Sequence, residues 1–250
     1  VYDRAYSVQQ TTDGGYIVAG KTYSFGAGGY DVYVLKLNSD GSLAWQNTFG
    51  GNVYDRAYSV QQTTDGGYIV AGYTNSFGTG YEDVYVLKLN SDGSLAWQKT
   101  FGGNDSDGAY SIQQTTDGGY IVAGNTLSFG AGNSDSYVLK LNSDGSLAWQ
   151  KTFGGNSEDY AYSIQQTTDD GYTVAVNMSG DVYVLKLNSD GSLAWQKTFG
   201  GNSGDYAYSI QQTTDGGYIV AGSTFSFGAG NSDDVYILKL DSNGELHPFE

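Results

Sequence analysis

The sequence predicts an all-β protein, a β-propeller with five blades of four antiparallel strands each. Three observations predict this fold. One unit recurs five times, each unit holds four strand-length segments with turn residues between them, and two of these segments are apolar on both faces. Repeats of this length are typical of solenoids and propellers. Asp-Gly turns inside each unit favour the propeller, because hairpins require antiparallel neighbours.

One tyrosine in the segment AYS[VI]QQTTD anchors the copies. It recurs at spacings of 52, 52, 52 and 46 residues, as Tyr6, Tyr58, Tyr110, Tyr162 and Tyr208. The last spacing is short because the fourth copy lacks most of the SFGAG loop. We therefore predict a single domain over residues 1–250, with blades at approximately 1–52, 53–104, 105–156, 157–202 and 203–250.

Four strands, A to D, follow in order within each copy. In the first copy, strand A covers residues 5–11 and strand B residues 16–20, with TDGG between them. Strand C covers residues 32–38 and strand D residues 43–49, with SDGS between them. Asp-Gly between β-rich runs predicts a hairpin, because Gly accepts the positive φ that such turns require. Val, Ile, Tyr, Thr and Gly dominate, so no segment is predicted to be helical.

Strands B and C are apolar on both faces, so each sheet needs cover on both sides. Stacking the sheets in a ring provides that cover and leaves only short edges. The fifth copy ends in ELHPFE, where the others continue with a Trp-containing strand D. We therefore predict a weak seam between the first and fifth blades. The chain could also be part of a longer array, or close its ring by association.

The repeat resembles known propeller families. The order AYS[VI]…DGGYIVAG…DVYV…W is similar to the kelch repeat, with Ala19 and Gly20 in place of its Gly-Gly doublet. LNSDGSLAW resembles the Trp strand of quinoprotein-type propellers, and the tandem DGGYIVAG / WxKTFGG pattern resembles repeats in surface proteins of archaea and bacteria. This resemblance implies a propeller at the cell surface or outside the cell, and it carries no catalytic motif.

Composition and charge exclude several classes of protein. The chain has no Cys and one His, which leaves no disulfide framework, thiol nucleophile or His-based metal site. Its net charge of −16 argues against nucleic acid as a partner, since phosphates require Lys and Arg. No apolar run approaches the roughly 20 residues that span a bilayer, so we expect no membrane insertion.

One face of the propeller varies between copies. The A–B and C–D turns are nearly invariant, whereas the B–C and D–A loops differ, and the two variable loops share one end of the strands. Loops on a rigid scaffold commonly carry binding, so this loop face is the candidate interaction surface. Fourteen acidic residues fall on it against Arg4, Lys21 and Arg56, which favours cations or a basic partner.

Two aspartates per copy recur on the loop face. One lies three residues before the anchor tyrosine, and the other lies two residues before the tyrosine position of strand C. Either these carboxylates shape their loops by accepting backbone N–H bonds, or they ligate Ca²⁺, which takes roughly six to eight oxygens. The candidate metal ligands are Asp3, Asp31, Asp55, Asp83, Asp107, Asp135, Asp159, Asp181, Asp205 and Asp234.

Six tyrosines occupy variable positions on the same face. With Asp and Asn nearby they are suited to binding sugars, because aromatic faces stack on pyranose rings while carboxylates accept hydroxyl hydrogen bonds. The alternative is that they are ordinary surface residues of a Tyr-rich chain. They are Tyr2, Tyr30, Tyr54, Tyr81, Tyr160 and Tyr206.

Three functions follow from these features, in order of preference. The first is a non-catalytic extracellular or cell-surface module for interaction or structure, which binds a protein or a glycan, self-assembles or belongs to a larger array. The second is a multivalent carbohydrate-binding lectin, assisted by Ca²⁺, in which repeated sites raise avidity. The third is a glycoside hydrolase, which is disfavoured because such enzymes use an unlike pair of carboxylates. We expect no enzyme activity and no required cofactor.

Overall fold

The computed structural model describes residues 2–228 and 232–246, and its regular secondary structure is β-strand throughout these ranges. The strands within them are β1 (Arg4–Gln10), β2 (Tyr16–Thr22), β3 (Asp31–Leu37), β4 (Leu43–Phe49), β5 (Asp55–Gln62), β6 (Tyr68–Thr74), β7 (Asp83–Leu89), β8 (Leu95–Phe101), β9 (Asp107–Gln114), β10 (Tyr120–Thr126), β11 (Asp135–Leu141), β12 (Leu147–Phe153), β13 (Asp159–Gln166), β14 (Tyr172–Met178), β15 (Asp181–Leu187), β16 (Leu193–Phe199), β17 (Asp205–Gln212), β18 (Tyr218–Thr224) and β19 (Asp234–Leu240).

Each copy of the repeat forms one sheet whose strand order follows the chain. The sheets are β1–β4, β5–β8, β9–β12, β13–β16 and β17–β19. Leu240 and Leu246 form an antiparallel bridge, and the rest of the predicted strand D of the fifth copy, residues 247–250, lies outside the described residues. The predicted all-β, five-bladed propeller is confirmed. Within the described ranges no helix is long and apolar enough to cross a membrane.

The strands group into two compact units. The N-terminal unit contains residues 1–122, 126–129 and 141–147, and the C-terminal unit contains residues 123–125, 130–140 and 148–250. Blades one and two lie wholly in the first unit, and blades four and five lie wholly in the second.

The turns follow the predicted chemistry. In the second copy Gly66 has a φ of 81°, and the Thr63 N–H closes the A–B turn on the Gly67 carbonyl at 2.9 Å. The fourth copy has Asp170 where the others have glycine, and it adopts a φ of 62°. Asp is one of the few non-glycine residues that enter the left-handed region readily, so the turn keeps its shape.

A lysine in strand C holds the A–B turn in four of the copies. Lys88 is 6% exposed, and its Nζ lies 2.9 Å from Asp65 Oδ2 and 3.1 Å from the Leu89 carbonyl oxygen. Burial raises the pKa of the Asp65 carboxyl, but hydrogen bonds from Thr63, Lys88 and Gly67 outweigh it and hold this pKa at about 2. The same pair recurs as Lys36–Asp13, Lys186–Asp169 and Lys239–Asp215.

Neighbouring blades pack through apolar faces. In the N-terminal unit, residues of β2 and β3 form one buried cluster with residues of β5, β6 and β7. The Trp of each strand D lies edge-on to the first tyrosine of the next blade's strand B, as in Trp45–Tyr68 at 5.7 Å between ring centroids. This contact recurs as Trp97–Tyr120, Trp149–Tyr172 and Trp195–Tyr218. The tryptophans therefore serve packing between blades.

A β-bulge lies at the anchor tyrosine of strand A. In β5, Ala57 pairs with Gly72 and Ser59 pairs with Ala71, which leaves Tyr58 as the extra residue. A bulge bends its strand and re-aims the side chain it carries. Anchor rings of successive blades lie close together, at 5.0 Å for Tyr6–Tyr58, 5.5 Å for Tyr58–Tyr110 and 5.9 Å for Tyr162–Tyr208.

Candidate functional site

On the loop face, two variable positions of each copy pair with each other across strands A and B. The observed partners are Arg4–Lys21, Arg56–Tyr73, Tyr160–Asn177 and Tyr206–Ser223. Residues directly opposite in an antiparallel pair project to the same side of the sheet. We call each of these a variable pair, because its chemistry changes from copy to copy while the strands around it hardly change.

In the N-terminal unit the variable pairs form a basic patch, made of Arg4, Lys21, Tyr30, Arg56 and Tyr73. Lys21 is 6% exposed, and its Nζ lies 3.9 Å from the centroid of the Tyr30 ring. The Arg56 guanidinium lies 5.5 Å from the Tyr30 ring and 5.3 Å from the Tyr73 ring. Burial lowers the pKa of the Lys21 amine, and repulsion from Arg56 and Arg4 lowers it further. Aromatic faces thus stabilise cations that stand close to one another.

The basic patch has unused hydrogen-bonding capacity. Arg56 Nε is buried and has no hydrogen-bond partner in the described part of the chain. Glu82 follows in the neighbouring loop, where burial raises the pKa of its carboxyl and Arg56 partly offsets the rise. Since a buried donor without a partner is costly, the patch is suited to accept a polar group from outside.

In the C-terminal unit the variable pairs form a cleft of about 240 Å³. Its lining residues are Glu158, Tyr160, Tyr162, Asn177, Gly180 and Tyr206. The Tyr160 hydroxyl donates to Glu158 Oε2 at 3.3 Å, and Asn177 Oδ1 accepts from the Ala207 N–H at 2.6 Å. Three aromatic rings, one carboxylate and one amide therefore meet in a small concave site.

The cleft coincides with the shortened B–C loop of the fourth copy. There the turn passes directly from Met178 through Ser179 and Gly180 to Asp181, with Ser179 at a φ of 54°. In the second copy, by contrast, the longer loop packs over the next D–A junction, where Thr79 Oγ1 donates to the Gly103 carbonyl at 2.8 Å. The missing loop residues account for the open space.

The six predicted tyrosines have different environments. Tyr2, Tyr54 and Tyr81 are exposed, whereas Tyr30, Tyr160 and Tyr206 are half-buried. Tyr30 and Tyr54 lie 5.7 Å apart in the N-terminal unit, and Tyr160 and Tyr206 both line the C-terminal cleft. The structure thus brings four of the six into two groups. Tyr30, which belongs to the basic patch, contacts Tyr54, and Tyr160 and Tyr206 meet in the cleft.

The first set of predicted aspartates holds the loops. Asp55 is fully buried, and its carboxylate accepts from the Thr74 hydroxyl, from Ser76 Oγ at 2.7 Å and from the Gly51 N–H at 2.9 Å. Asp107 and Asp205 accept the equivalent serine and glycine donors. Asp3 is exposed, and hydrogen bonds from Ser24 and Thr22 hold the pKa of its carboxyl at about 2.

The second set caps the B–C loops. Asp31, Asp83 and Asp135 accept backbone N–H bonds from Ala27, Thr79 and Ala131, at 2.9, 2.9 and 2.7 Å. Asp181 and Asp234 are half-buried at the equivalent position. This geometry is the loop-shaping role that the sequence allows for Asp.

Carboxylates of the two sets approach each other in pairs. A Cβ built on Gly50 would collide with the carboxylates of both Asp31 and Asp55. Gly102, Gly154 and Gly200 stand between the equivalent pairs Asp83–Asp107, Asp135–Asp159 and Asp181–Asp205. Burial raises the pKa of Asp31, and the neighbouring Asp55 adds to the rise. The described residues hold no group of three or more Asp, Glu, His or Cys that could bind a metal ion. Ligation of Ca²⁺ by the aspartate pairs therefore stays a prediction.

One of these pairs differs from the others. Asp159 is fully buried, yet its Oδ1 has no hydrogen-bond partner among the described residues. The residue opposite it on strand B is Met178, whereas Asp55 and Asp205 have Thr74 and Thr224 there. The fourth copy has therefore lost both a loop and a hydroxyl at the same end of its blade.

Sequence reasoning missed the cleft's third ring, that of Tyr162. It treated the anchor tyrosine as a marker of the repeat, although Tyr162 lines the cleft together with Tyr160 and Tyr206. The bulge between Ala161 and Ser163 sets its position, and a bulge has no distinct residue signature when all copies share the same sequence there. The Gly-Gly doublet of TFGG did carry a signal, since only glycine fits between the paired carboxylates.

Comparison with solved structures shows the same fold. A protein of unknown function from Bacteroides caccae matches with a TM-score of 0.59 and 14% identity over 98% of this chain and 80% of its own. The WD40 domain of Neurospora crassa Pan2 matches with a TM-score of 0.65 and 11% identity, over 98% and 65%. The Dos1 propeller matches with a TM-score of 0.60 and 13% identity, over 98% and 57%. At these identities the likeness establishes the fold alone.

Comparison with protein families establishes the wider relationship. Among curated proteins there is no match. A β-propeller domain family of unknown function, DUF5122, matches residues 11–43, and the family PQQ_2, described as outer membrane protein assembly factor BamB, matches residues 31–246. The predicted likeness to quinoprotein-type propellers is thereby confirmed at the level of the propeller, while the kelch likeness stays a prediction. Because the PQQ_2 match covers most of its length, the chain belongs to this β-propeller family.

Proposed function

We propose that this propeller is a non-catalytic extracellular or cell-surface module that binds a protein partner through its loop face. The observation that carries the proposal is the variable pairs. Four blades with nearly the same strands present Arg4–Lys21, Arg56–Tyr73, Tyr160–Asn177 and Tyr206–Ser223 at one end. Change confined to one end of a repeated scaffold is what a recognition surface requires.

The basic patch has the composition of a protein-binding centre. Tyr and Arg dominate the energetics of protein interfaces, because they bury a large apolar surface and retain polar groups. Arg56 lies over Tyr30 and Tyr73, and its buried Nε has no partner among the residues that the structure describes. An acceptor on the partner, such as a carboxylate or a backbone carbonyl, would satisfy this donor.

The name of the matching family supports placement at the cell envelope. PQQ_2 is described as an outer membrane protein assembly factor, and the sequence resembles tandem repeats of archaeal and bacterial surface proteins. Both point to a location outside the cytoplasm. Self-assembly or membership of a longer array is compatible with this role.

The test of this proposal replaces two cations of the basic patch with the residues that another copy of the repeat has at the same positions. The double variant Lys21→Asn, Arg56→Gly takes the residues that the third copy has at these positions, namely Asn125 and Gly108. Lys99→Asn removes an exposed cation from strand D and is the matched control. Each protein is immobilised and exposed to a cell-envelope protein extract of its source, and bound proteins are quantified by mass spectrometry.

We expect at least one envelope protein to bind the wild type and the control equally, and to lose at least tenfold in recovery on the double variant. Equal recovery on all three proteins would exclude the patch as the binding centre. Circular dichroism checks that the double variant keeps the β-rich fold, so a loss of binding is not a loss of structure.

Carbohydrate binding is the second candidate, and the cleft is the observation that favours it. Its three tyrosines offer faces for a sugar ring, while Glu158 and Asn177 offer polar partners for hydroxyl groups. A glycan array with and without added Ca²⁺ tests both the lectin and the role of the ion at the aspartate pairs. Tyr206→Ala should abolish a genuine signal, whereas Tyr81→Ala, which removes an exposed tyrosine outside the cleft, should retain it.

The same cleft supports the proposal that the module is not an enzyme. Glycoside hydrolysis uses two carboxylates on either side of the scissile bond. Glu158 is the carboxylate that lines the cleft, and its other lining residues are tyrosine, asparagine and glycine. One acid without a partner across the site supports binding rather than bond cleavage.

A further inference from the structure

The cleft of the C-terminal unit occupies the same place in the repeat as the basic patch of the N-terminal unit. Gly180 and Tyr30 each lie directly before a strand C. Their carbonyls accept the N–H of the aspartate that begins the next blade, from Asp205 at 2.7 Å and from Asp55 at 2.6 Å. Each site lies within its own unit, and the two can be compared residue by residue.

In the basic patch the chain supplies its own cations to an aromatic ring. Lys21 is buried, and its Nζ lies over the Tyr30 ring at 3.9 Å from the centroid. The Arg56 guanidinium lies 5.5 Å from the same ring. A cation over the face of an aromatic ring is attracted by the negative charge of that face. The repeat can therefore hold an ammonium group at this place.

In the cleft, three cationic positions of the patch hold uncharged residues. The replacements are Tyr160 for Arg4, Asn177 for Lys21 and Tyr206 for Arg56. Gly180 replaces Tyr30, and a Cβ built on it would meet nothing within 4 Å. None of the described residues that line the cleft is Lys or Arg. The cleft therefore keeps the place for an ammonium group, and its lining supplies no cation to fill it.

Three tyrosine rings line this space. Tyr160 and Tyr162 lie 6.1 Å apart between ring centroids, with an angle of 34° between their planes, and Tyr206 of the next blade is the third ring. All three are half-buried, so the blades hold the rings while part of each stays accessible. Aromatic rings grouped around a small hollow are suited to binding quaternary ammonium groups. The volume of about 240 Å³ is below the roughly 300–1,000 Å³ of sites for drug-sized ligands, which suits a small group.

The charges around the cleft favour a cation. Glu158 lines it, and three aspartates directly adjoin lining residues along the chain, namely Asp159, Asp181 and Asp205. Asp159 is fully buried, and its Oδ1 has no hydrogen-bond partner among the described residues. A cleft lined by charge of one sign concentrates the electric field and raises the local concentration of the opposite charge. The field therefore attracts a cationic group to the three rings.

Polar groups of the cleft are engaged within the chain. The Tyr160 hydroxyl donates to Glu158 Oε2 at 3.3 Å, and Asn177 Oδ1 accepts from the Ala207 N–H at 2.6 Å. A sugar ring has to compete with these bonds, because its hydroxyl groups need donors and acceptors of their own. A quaternary ammonium group has no N–H to satisfy, and it needs only aromatic faces and negative charge. The contacts therefore favour an ammonium group over a sugar.

We propose that the cleft binds a trimethylammonium group, carried either by a small molecule such as choline or by a trimethylated lysine side chain. The methyl groups contact the rings of Tyr160, Tyr162 and Tyr206, and Glu158 faces the positive charge. An unmethylated lysine amine is strongly hydrated, so it loses more on leaving water. This inference concerns the cleft, whereas the proposed function depends on the basic patch, so either can fail without the other.

Titration calorimetry on the full 250-residue chain tests the ligand class. Choline should bind about tenfold more tightly than its uncharged analogue, in which a tert-butyl group replaces the trimethylammonium group. Salt should weaken the binding of choline alone, because it screens the attraction to Glu158. A peptide with trimethylated lysine, compared with choline and with the unmodified peptide, shows which source of the group binds more tightly. Equal affinity for choline and its analogue, or no binding of choline and of the methylated peptide, would overturn the proposal.

Variants locate the binding in the cleft. Tyr206→Leu removes one aromatic face and should weaken choline binding about tenfold, whereas Tyr206→Phe keeps the face and should bind as the wild type does. Tyr81→Leu, at an exposed tyrosine outside the cleft, is the matched control and should have no effect. Glu158→Gln should weaken binding and reduce its dependence on salt.

The phenylalanine variant keeps the test decisive. If Tyr206→Phe loses as much affinity as Tyr206→Leu, the hydroxyl and not the aromatic face holds the ligand, which would overturn the proposal. Circular dichroism checks that both variants keep the β-rich fold of the wild type.

Discussion

Strands β3 and β7 have the same sequence and different environments. Asp31–Leu37 and Asp83–Leu89 both read DVYVLKL, yet burial alternates along the first and is complete along the second. The difference arises from the preceding sheet. Tyr85, Leu87 and Leu89 of β7 belong to one buried cluster with residues of β2 and β3, whereas their equivalents in β3, Tyr33, Leu35 and Leu37, are half-buried. In a repeat protein the sequence of a strand therefore specifies which of its faces can be buried. The neighbouring sheets determine which of these faces are buried in the structure.

The largest effect on the free energy of unfolding should distinguish substitutions at Leu87 and Leu35. These two leucines occupy the same position in β7 and β3. Leu87 is 1% exposed and Leu35 is half-buried. Leu87→Ala should lower the free energy of unfolding by about 3 kcal/mol, as expected for a cavity in a packed core. Leu35→Ala should lower it by about 1 kcal/mol, since less surface is transferred from water. Urea denaturation at low protein concentration measures both, and equal losses would contradict the environment shown for β3.

An intermediate loss of stability should be the same in the first and second blades, because it arises at the end of the strands where the A–B turns lie. Lys36 and Lys88 are 5% and 6% exposed, and each lies 2.9 Å from the carboxylate of its A–B turn. Lys36→Met and Lys88→Met should each cost about 1–2 kcal/mol through the lost charge-assisted hydrogen bonds. Unequal costs in urea denaturation would show that the different environments of β3 and β7 extend to this end of the blade.

The pH dependence of this pair follows from the aspartate. The pKa of the Asp65 carboxyl is held at about 2, below its ordinary value of 3.8. A lowered pKa contributes stability that is present above the ordinary value and is lost as the pH falls through the folded-state value. Stability should therefore decline from about pH 4 toward about pH 2, and Asp65→Asn should reduce the slope in that window.

These residues also show how far sequence reasoning extends. The hairpins, the number of blades and the variable face could be predicted, because Asp-Gly turns, the spacing of Tyr6 to Tyr208 and the variation between copies are local or periodic signals. The Lys88–Asp65 pair and the Asp31–Asp55 approach could not be predicted, because both join residues that lie far apart along the chain. The difference in burial between β3 and β7 could not be predicted from these strands either, since both read DVYVLKL.

The smallest effect on the free energy of unfolding should come from the fourth copy. This blade differs from the others because its sequence differs, not because its neighbours do. Met178 stands opposite Asp159, whose buried Oδ1 has no partner among the described residues, whereas Thr74 and Thr224 donate to the equivalent carboxylates. Met178→Thr should restore that bond and raise the free energy of unfolding by about 1 kcal/mol.

Met178→Val isolates the role of the hydroxyl. Valine has the branched shape of threonine and no donor, so it changes the packing at residue 178 in the same way and leaves Asp159 Oδ1 unsatisfied. If threonine and valine stabilise the protein equally in urea denaturation, packing explains the gain. If threonine alone stabilises it, the orphaned carboxylate oxygen is a real cost, and the fourth blade tolerates that cost at the end where the cleft opens. The repeat would then have given up a stabilising bond at the one position where its loop is also shortened, which is where a binding site needs room.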